Sequence, residues 1–135
     1  MGSTQRGGEI ESGELIIRPA EEQDIEALVK LEEASFSADR LSRRRFQHWL
    51  RAGNRVFLVT EKDQRVLAYG LVLLHKGTRL ARLYSLAVCA ETRGQGIGRN
   101  LLLELELAAA AKGRLAMRLE VAKANDNAIR LYESM

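Results

Sequence analysis

Cysteine is almost absent. Cys89 stands alone in a chain of 135 residues, which excludes an internal disulfide framework and any multi-cysteine metal site. Histidine is nearly as scarce, and His48 and His75 lie far apart, so the sequence argues against a metal enzyme. Aromatic residues make up only 5% of the chain and no long basic block occurs. A nucleic-acid partner is therefore disfavoured, although the formal net charge is +3. No apolar run reaches the ~18 residues of a membrane span. No signal peptide is visible. The start, Met1-Gly2-Ser3-Thr4-Gln5-Arg6, lacks the Ser or Thr that a myristoylation site needs. No Gly-Lys-Ser/Thr triplet exists, so the chain has no P-loop. These absences leave a soluble cytoplasmic protein, without metal or membrane, as the expectation.

What is present is enough apolar sequence for one core: 46% of the residues are hydrophobic, which suits one domain of this length. Residues 1–12 are rich in Gly, Ser and Glu and read as a disordered leader, with the domain at 13–135. The organising stretch is Arg93-Gly94-Gln95-Gly96-Ile97-Gly98-Arg99-Asn100. It follows an apolar run, Leu83 to Val88, that reads as a strand, and it leads into the helix pattern Leu101 to Leu107. Glycines at alternate positions let backbone N–H groups approach a ligand closely. The start of the next helix adds free N–H groups and a favourable dipole for an anion. Arg93 and Arg99 add positive charge. The stretch reads as a phosphate cradle. A dinucleotide fingerprint would need a third glycine where Arg99 stands.

The rest of the chain supplies a sheet and its helices. Leu15 to Arg18 predicts a short strand closed by Pro19, which sits well near a helix start. Ile25, Leu28 and Val29 predict a helix that fades at Ser35 or Phe36. Ser42 should cap a second helix, with Phe46, Trp49 and Leu50 on one face and Gly53 at its end. Three strands follow as a meander, Arg55–Glu61, Arg65–His75 and Arg79–Val88, turning at Lys62-Asp63-Gln64 and Gly77. The cradle helix ends at Lys112-Gly113. Leu115 to Val121 alternates as a half-buried strand, and Asn125 or Asp126 caps a last helix through Tyr132. The order is βααβββαβα, or one strand more on a generous count. The strands flanking the cradle helix should be parallel, joined by a right-handed crossover.

From Leu83 to Met135 the chain resembles the GNAT acyl-CoA N-acyltransferases, most of all the RimI-like branch that acetylates protein N-termini. The residues that carry the resemblance are Leu83-Tyr84-Ser85-Leu86-Ala87-Val88, then the loop in which Arg93, Gly96 and Gly98 match R/Q-x-x-G-x-G/A. Further on come Leu119-Glu120-Val121, and Asn125 with Ala128, Leu131, Tyr132 and Glu133. The resemblance implies an α/β (α+β) fold: a mixed, twisted sheet flanked by helices. It implies acetyl-CoA as co-substrate. Leu86, Ala87 and Val88 would meet the pantetheine and acetyl carbonyl through backbone groups at a bulged strand. Gly94, Gln95, Gly96, Ile97, Gly98 and Arg99, with Arg93, would hold the pyrophosphate, and Asn125 would touch the cofactor from the other side. Glu120 would be the general base and Tyr132 the general acid.

Three departures are visible. Cys89-Ala90 stands where the family usually has Asp-Pro. The chain stops at Ser134-Met135, where the family continues with Gly-Phe and two more strands. The expectation is a fragment, or a sheet completed by other means, with the last strands missing. The edge at 115–121 would then invite a homodimer. Asp39-Arg40-Leu41-Ser42-Arg43-Arg44 resembles GNAT domains fused to a peptidase-like domain.

Acyl transfer needs a neutral amine and a protonated leaving thiolate. At pH 7 about one α-amine in ten is neutral, against about one lysine in 2,500. An N-terminal acceptor, protein or peptide, needs the least help from a base. A small amine, or an acyl-CoA-binding module without turnover, are the alternatives. Strand alternation also allows Glu120 a plain cross-strand ion pair, and Tyr132 a packing role against the sheet. Cys89 reads as a small buried residue, Trp49 as core, and Arg43-Arg44-Arg45 as a solvated helix face.

Overall fold

The computed structural model describes residues 14–37 and 40–119. The leader at 1–12, Asp39, and everything from Glu120 onward, with Val121, Asn125 and Tyr132, lie outside the described residues. The elements are β1 (Ile16–Pro19), α1 (Ile25–Ser35), α2 (Arg43–Arg51), β2 (Arg55–Lys62), β3 (Arg65–Leu73), β4 (Leu80–Val88), α3 (Ile97–Ala111) and β5 (Ala116–Leu119). Short 3-10 turns precede α1 (Glu22–Asp24) and follow β4 (Ala90–Thr92). The sheet runs β1-β2-β3-β4-β5. Its first three pairings are antiparallel. β5 joins β4 in parallel, from Leu80↔Ala116 to Leu83↔Leu119, as a crossover through α3 requires. This is the mixed sheet expected.

Local chemistry explains most boundaries. Ser42 caps α2, its Oγ accepting the Arg45 N–H at 3.2 Å. The β2–β3 turn puts Asp63 at φ 52° and Gln64 at φ 67°, the double left-handed geometry of a tight hairpin. Gly113 closes α3 at φ 85°. Two expectations are corrected here. Gly53 does not end α2: Arg51 is the last helical residue and Ala52, in extended backbone, is the C-cap. Pro19 is not at a helix start. It is the last residue of β1, opposite Leu58, and α1 begins only at Ile25. An edge strand tolerates it because the missing N–H faces away from the ladder.

Each sheet face has its own core. On one, α3 lays Ile97, Leu101, Leu102, Leu105 and Ala109 over Leu67, Val72, Leu83 and Leu86. Gly70 of β3 makes that approach possible, since a Cβ there would stand 2.4 Å from Leu105 Cδ1. On the other, α1, α2 and the segment between them bring Leu28, Leu31, Phe36, Leu41 and Phe46 onto Phe57, Val59, Tyr69, Leu71 and Ala87. Phe46 and Tyr69 meet edge to face at 5.5 Å. Leu115 does not follow the expected alternation. It precedes β5 and is 76% exposed. Its N–H reaches Arg79 O, and Arg114 beside it donates to the carbonyls of His75, Thr78 and Leu80. The entry to β5 is set by these bonds rather than by apolar burial.

β4 carries a bulge. Leu71 pairs with Ser85 and Val72 with Leu83, so Tyr84 has no opposite number on β3. Alternation therefore breaks. Leu83 and Leu86 join the α3 core, while Tyr84, Ser85 and Ala87 all face α1 and α2.

Candidate active site

The cradle has the geometry its composition suggests. β4 ends at Val88 and the chain passes through one 3-10 turn to Arg93. Gly94 then takes φ 85° and Gly96 φ 81°, conformations in which a side chain is strained. At neither would a Cβ meet an atom of the described residues within 4 Å. Gly96 is the N-cap of α3, and among the described residues no side chain caps that end. The first-turn N–H groups of Ile97, Gly98 and Arg99 precede the intrahelical ladder, whose first bond runs from the Asn100 N–H to Gly96 O. Ile97 and Gly98 are buried, whereas Arg93, Gly94, Gln95, Gly96 and Arg99 are exposed. Ile97 fixes the helix to the core and the rest face solvent. With no acidic residue in its first turn, α3 presents an open start suited to a diphosphate.

Leu86, Ala87 and Val88 directly precede this loop, and the bulge lies two residues upstream of Leu86, at Tyr84. The bulged strand implied by the family resemblance is thus present, and its position is now defined. Glu120, Asn125 and Tyr132 lie outside the described residues. No helix among the described residues is long and apolar enough to cross a membrane.

Beyond β4 the chain forms a small polar cluster. Cys89 is half-buried rather than buried. Its thiol donates to Glu91 Oε1 at 3.0 Å, and Arg65 donates to the same oxygen at 2.8 Å. Together they hold the Glu91 carboxyl below its ordinary range. The cluster borders a groove of about 1130 Å³ between α1 (Ala27, Lys30, Leu31) and the β2–β3 turn. Neither Leu86–Val88 nor the cradle glycines line that groove.

Two arrangements escaped the sequence. Arg18 donates to both carboxylate oxygens of Asp24, at 2.8 and 2.9 Å, and also to Glu61. Burial alone would raise Asp24, but the Arg18 bonds and the Glu21 N–H outweigh it and hold the carboxyl below its usual value. This clamp ties β1, β2 and the start of α1. The second is a buried chain of hydroxyls and a carboxylate. Tyr69 donates to Glu32 Oε1 and lies 2.6 Å from Ser85 Oγ, while Glu32 Oε2 accepts the Leu41 N–H at 2.7 Å. Burial raises the Glu32 carboxyl and, more strongly, the Tyr69 phenol. The one signal for either was a charged residue inside an apolar helix face, as at Glu32 beside Leu28 and Leu31.

Trp49 is only half-buried, at the margin of the α2 core, with its ring 6.2 Å from that of Tyr84. Arg43, Arg44 and Arg45 are exposed on α2, as expected of a solvated face, and Arg43 pairs with Glu26.

Residues 24–135 match the acetyltransferase (GNAT) family. No curated protein matches the chain. Among solved structures it is similar to the ribosomal-protein-S18-alanine N-acetyltransferase of Escherichia coli. That match has 26% identity and a TM-score of 0.74, covering 90% of this chain and 76% of that one. An aminoglycoside acetyltransferase from an uncultured soil metagenomic sample, in complex with sisomicin, is 25% identical. It covers 89% of this chain and 86% of that one at a TM-score of 0.70. The PaiA N-acetyltransferase of Thermoplasma acidophilum, in complex with coenzyme A, shares the fold at 23% identity. Its TM-score is 0.71, over 90% of this chain and 87% of that one. The mixed sheet, the cradle between β4 and α3, and the family match over most of the chain lead to one conclusion: the chain belongs to the GNAT family of acetyl-CoA-dependent acetyltransferases.

Proposed function

We propose that this protein transfers an acetyl group from acetyl-CoA to the N-terminal α-amine of a protein or peptide, by direct attack in a ternary complex. The observation that carries the reading is the continuity of β4, the cradle and α3. One stretch of chain runs from Leu86, Ala87 and Val88 at the end of β4 to positive-φ glycines at 94 and 96. A thioester along the strand and a diphosphate at the helix start would be held by the same rigid piece of chain. Arg93, Gln95, Ile97, Gly98 and Arg99 complete the diphosphate site, and Asn125 would close on the cofactor opposite.

In this reading Glu120, through water, takes a proton from the ammonium form of the acceptor. The neutral nitrogen attacks the thioester carbonyl. A C–N bond forms, the C–S bond breaks, the Tyr132 phenol protonates the departing thiolate, and the second proton that the nitrogen sheds on becoming an amide returns through water to the Tyr132 phenolate. An unperturbed phenol, with a pKa of about 10, holds its proton at neutral pH and can supply it.

The similarity to an alanine N-acetyltransferase supports a peptide acceptor. The similarity to an aminoglycoside acetyltransferase supports the second reading, a small-amine acceptor. A panel of N-terminal alanine and serine peptides, run against aminoglycosides and short polyamines, separates them. The proposal expects kcat/KM at least tenfold higher for a peptide α-amine. A preference for the small amines would overturn it.

A further inference from the structure

The bulge in β4 raises a problem of register. An extra residue in a strand can sit at more than one position, and moving it by one residue exchanges the faces of every side chain in between. In this protein a bulge displaced toward the C-terminal end of β4 would turn Ser85 over before it reached Leu86, Ala87 and Val88, so holding it at Tyr84 keeps their register and decides which of their backbone groups are presented. Apolar packing discriminates poorly, since both sheet faces are apolar at this point. Ser85 discriminates well. It is 6% exposed, and its hydroxyl has a partner on the α1 face in Tyr69, which is fully buried. Turned toward α3, the hydroxyl would enter a core of Leu83, Leu86, Leu101 and Leu105, and an unsatisfied buried hydroxyl is costly.

Tyr69 is itself held. Its phenol donates to Glu32, which is 2% exposed, and the other oxygen of Glu32 takes the N–H of Leu41. One carboxylate thus joins α1, the segment entering α2, β3 and, through Tyr69, the bulge of β4. Tyr69 also lies directly opposite Ala87 in the ladder. A buried carboxylate is a poor source of stability, and an apolar replacement often does as well. Its value lies in specifying one arrangement.

We propose that Ser85, held through Tyr69 by Glu32, is a positioning residue for acetyl transfer: it fixes the register of the bulge that presents Leu86, Ala87 and Val88 to the thioester. This rests on the placement of acetyl-CoA along β4 given above. The diphosphate cradle lies outside the network, so coenzyme A affinity should not depend on it.

The test uses the full chain with Ser85→Ala and Tyr69→Phe, and Glu32→Gln as a conservative control. A Gln amide can accept from Leu41 and donate to Tyr69, which keeps the chain of bonds. Each is measured by thermal melt, by coenzyme A titration calorimetry, by kcat with an N-terminal alanine peptide well below the melting temperature, and by amide hydrogen exchange. Ser85→Ala and Tyr69→Phe should lower kcat about 10- to 100-fold, the range that misplacement of reacting groups produces. Their coenzyme A Kd should move less than threefold, and exchange should quicken at 85–88 but not in α3. Glu32→Gln should stay within threefold of the parent in kcat. A purely structural role would lower the melting temperature and leave kcat unchanged. Ser85→Ala within threefold of the parent in kcat, or with unaltered exchange at 85–88, overturns the proposal. A parent that acetylates no amine would sink the acceptor reading alone, since the exchange data would still decide the register claim.

Discussion

Gly96→Asp separates binding from folding at the cradle. Gly96 holds φ 81°, and among the described residues no atom lies within 4 Å of where a Cβ would stand. The new Cβ therefore meets no described atom, and the cost to the fold is chiefly that of the left-handed backbone. That cost is about 1 kcal/mol for a non-glycine residue, and less for Asp, whose short polar side chain tolerates it. A carboxylate at the N-cap of α3 gains about 0.3–1 kcal/mol from the helix dipole, which offsets most of the strain. The melting temperature should stay within a few degrees of the parent. Binding should behave differently. A carboxylate about 5 Å from a phosphate charge, at an effective dielectric between 20 and 80, is opposed by about 1–3 kcal/mol. Coenzyme A should bind about 10- to 100-fold more weakly. Gly96→Ala supplies the control, with the backbone strain but no charge. Its melting temperature should fall by about 4 °C, and its affinity should fall less than that of the Asp variant. The assays are thermal melts without ligand and titration calorimetry with coenzyme A. Equal coenzyme A affinity in Gly96→Asp and the parent would refute the cradle, whatever the melts show.

The other predictions concern chemistry and charge. Tyr132→Phe should lower kcat by about 10²–10⁴, the usual value of a general acid, with acetyl-CoA affinity unchanged; a variant keeping half the parent kcat would exclude the role. Glu120→Gln should flatten the acid limb of the pH–rate profile, and an unchanged limb would return Glu120 to an ion-pair role. Arg18→Met should reverse a pH dependence. In the parent, Arg18 depresses Asp24, so that stabilisation is complete above the unfolded value of about 3.9 and drains away as the pH falls through the folded one. Without the guanidinium, burial dominates and Asp24 titrates above its unfolded value. Its contribution then worsens as the pH rises through that raised value. Breaking a buried pair from one side costs about 3–5 kcal/mol. The low end applies, because the Arg18 side chain keeps 21% of its exposure. At pH 7 the melting temperature should fall by about 10 °C, and melts from pH 3 to 8 should show the changed slope; an unchanged slope would refute the clamp.

Much of this protein is written in short-range pattern. The apolar runs of β2 to β4, the 3.6-residue spacing from Ile97 to Ala109, Ser42 before α2 and the glycines at 94, 96 and 113 each act within a few residues. They could be read without knowing what they pack against. The parallel placement of β5 also followed, because the handedness of a strand–helix–strand unit leaves one arrangement. Tertiary structure decided what depends on partners far along the chain. Glu32 meets Tyr69 across 37 residues, and Tyr69 meets Ser85 across 16; no local spacing announces either pair. Alternation placed Leu115 inside, but the carbonyls that bind Arg114 belong to the β3–β4 turn and the first residue of β4, and they set the chain's entry to β5. The bulge at Tyr84 was hidden for the same reason. Apart from Ser85, Leu83 to Val88 packs equally well in either register, so in the proposal above the choice falls to the Ser85 hydroxyl with a phenol on β3 and a carboxylate on α1.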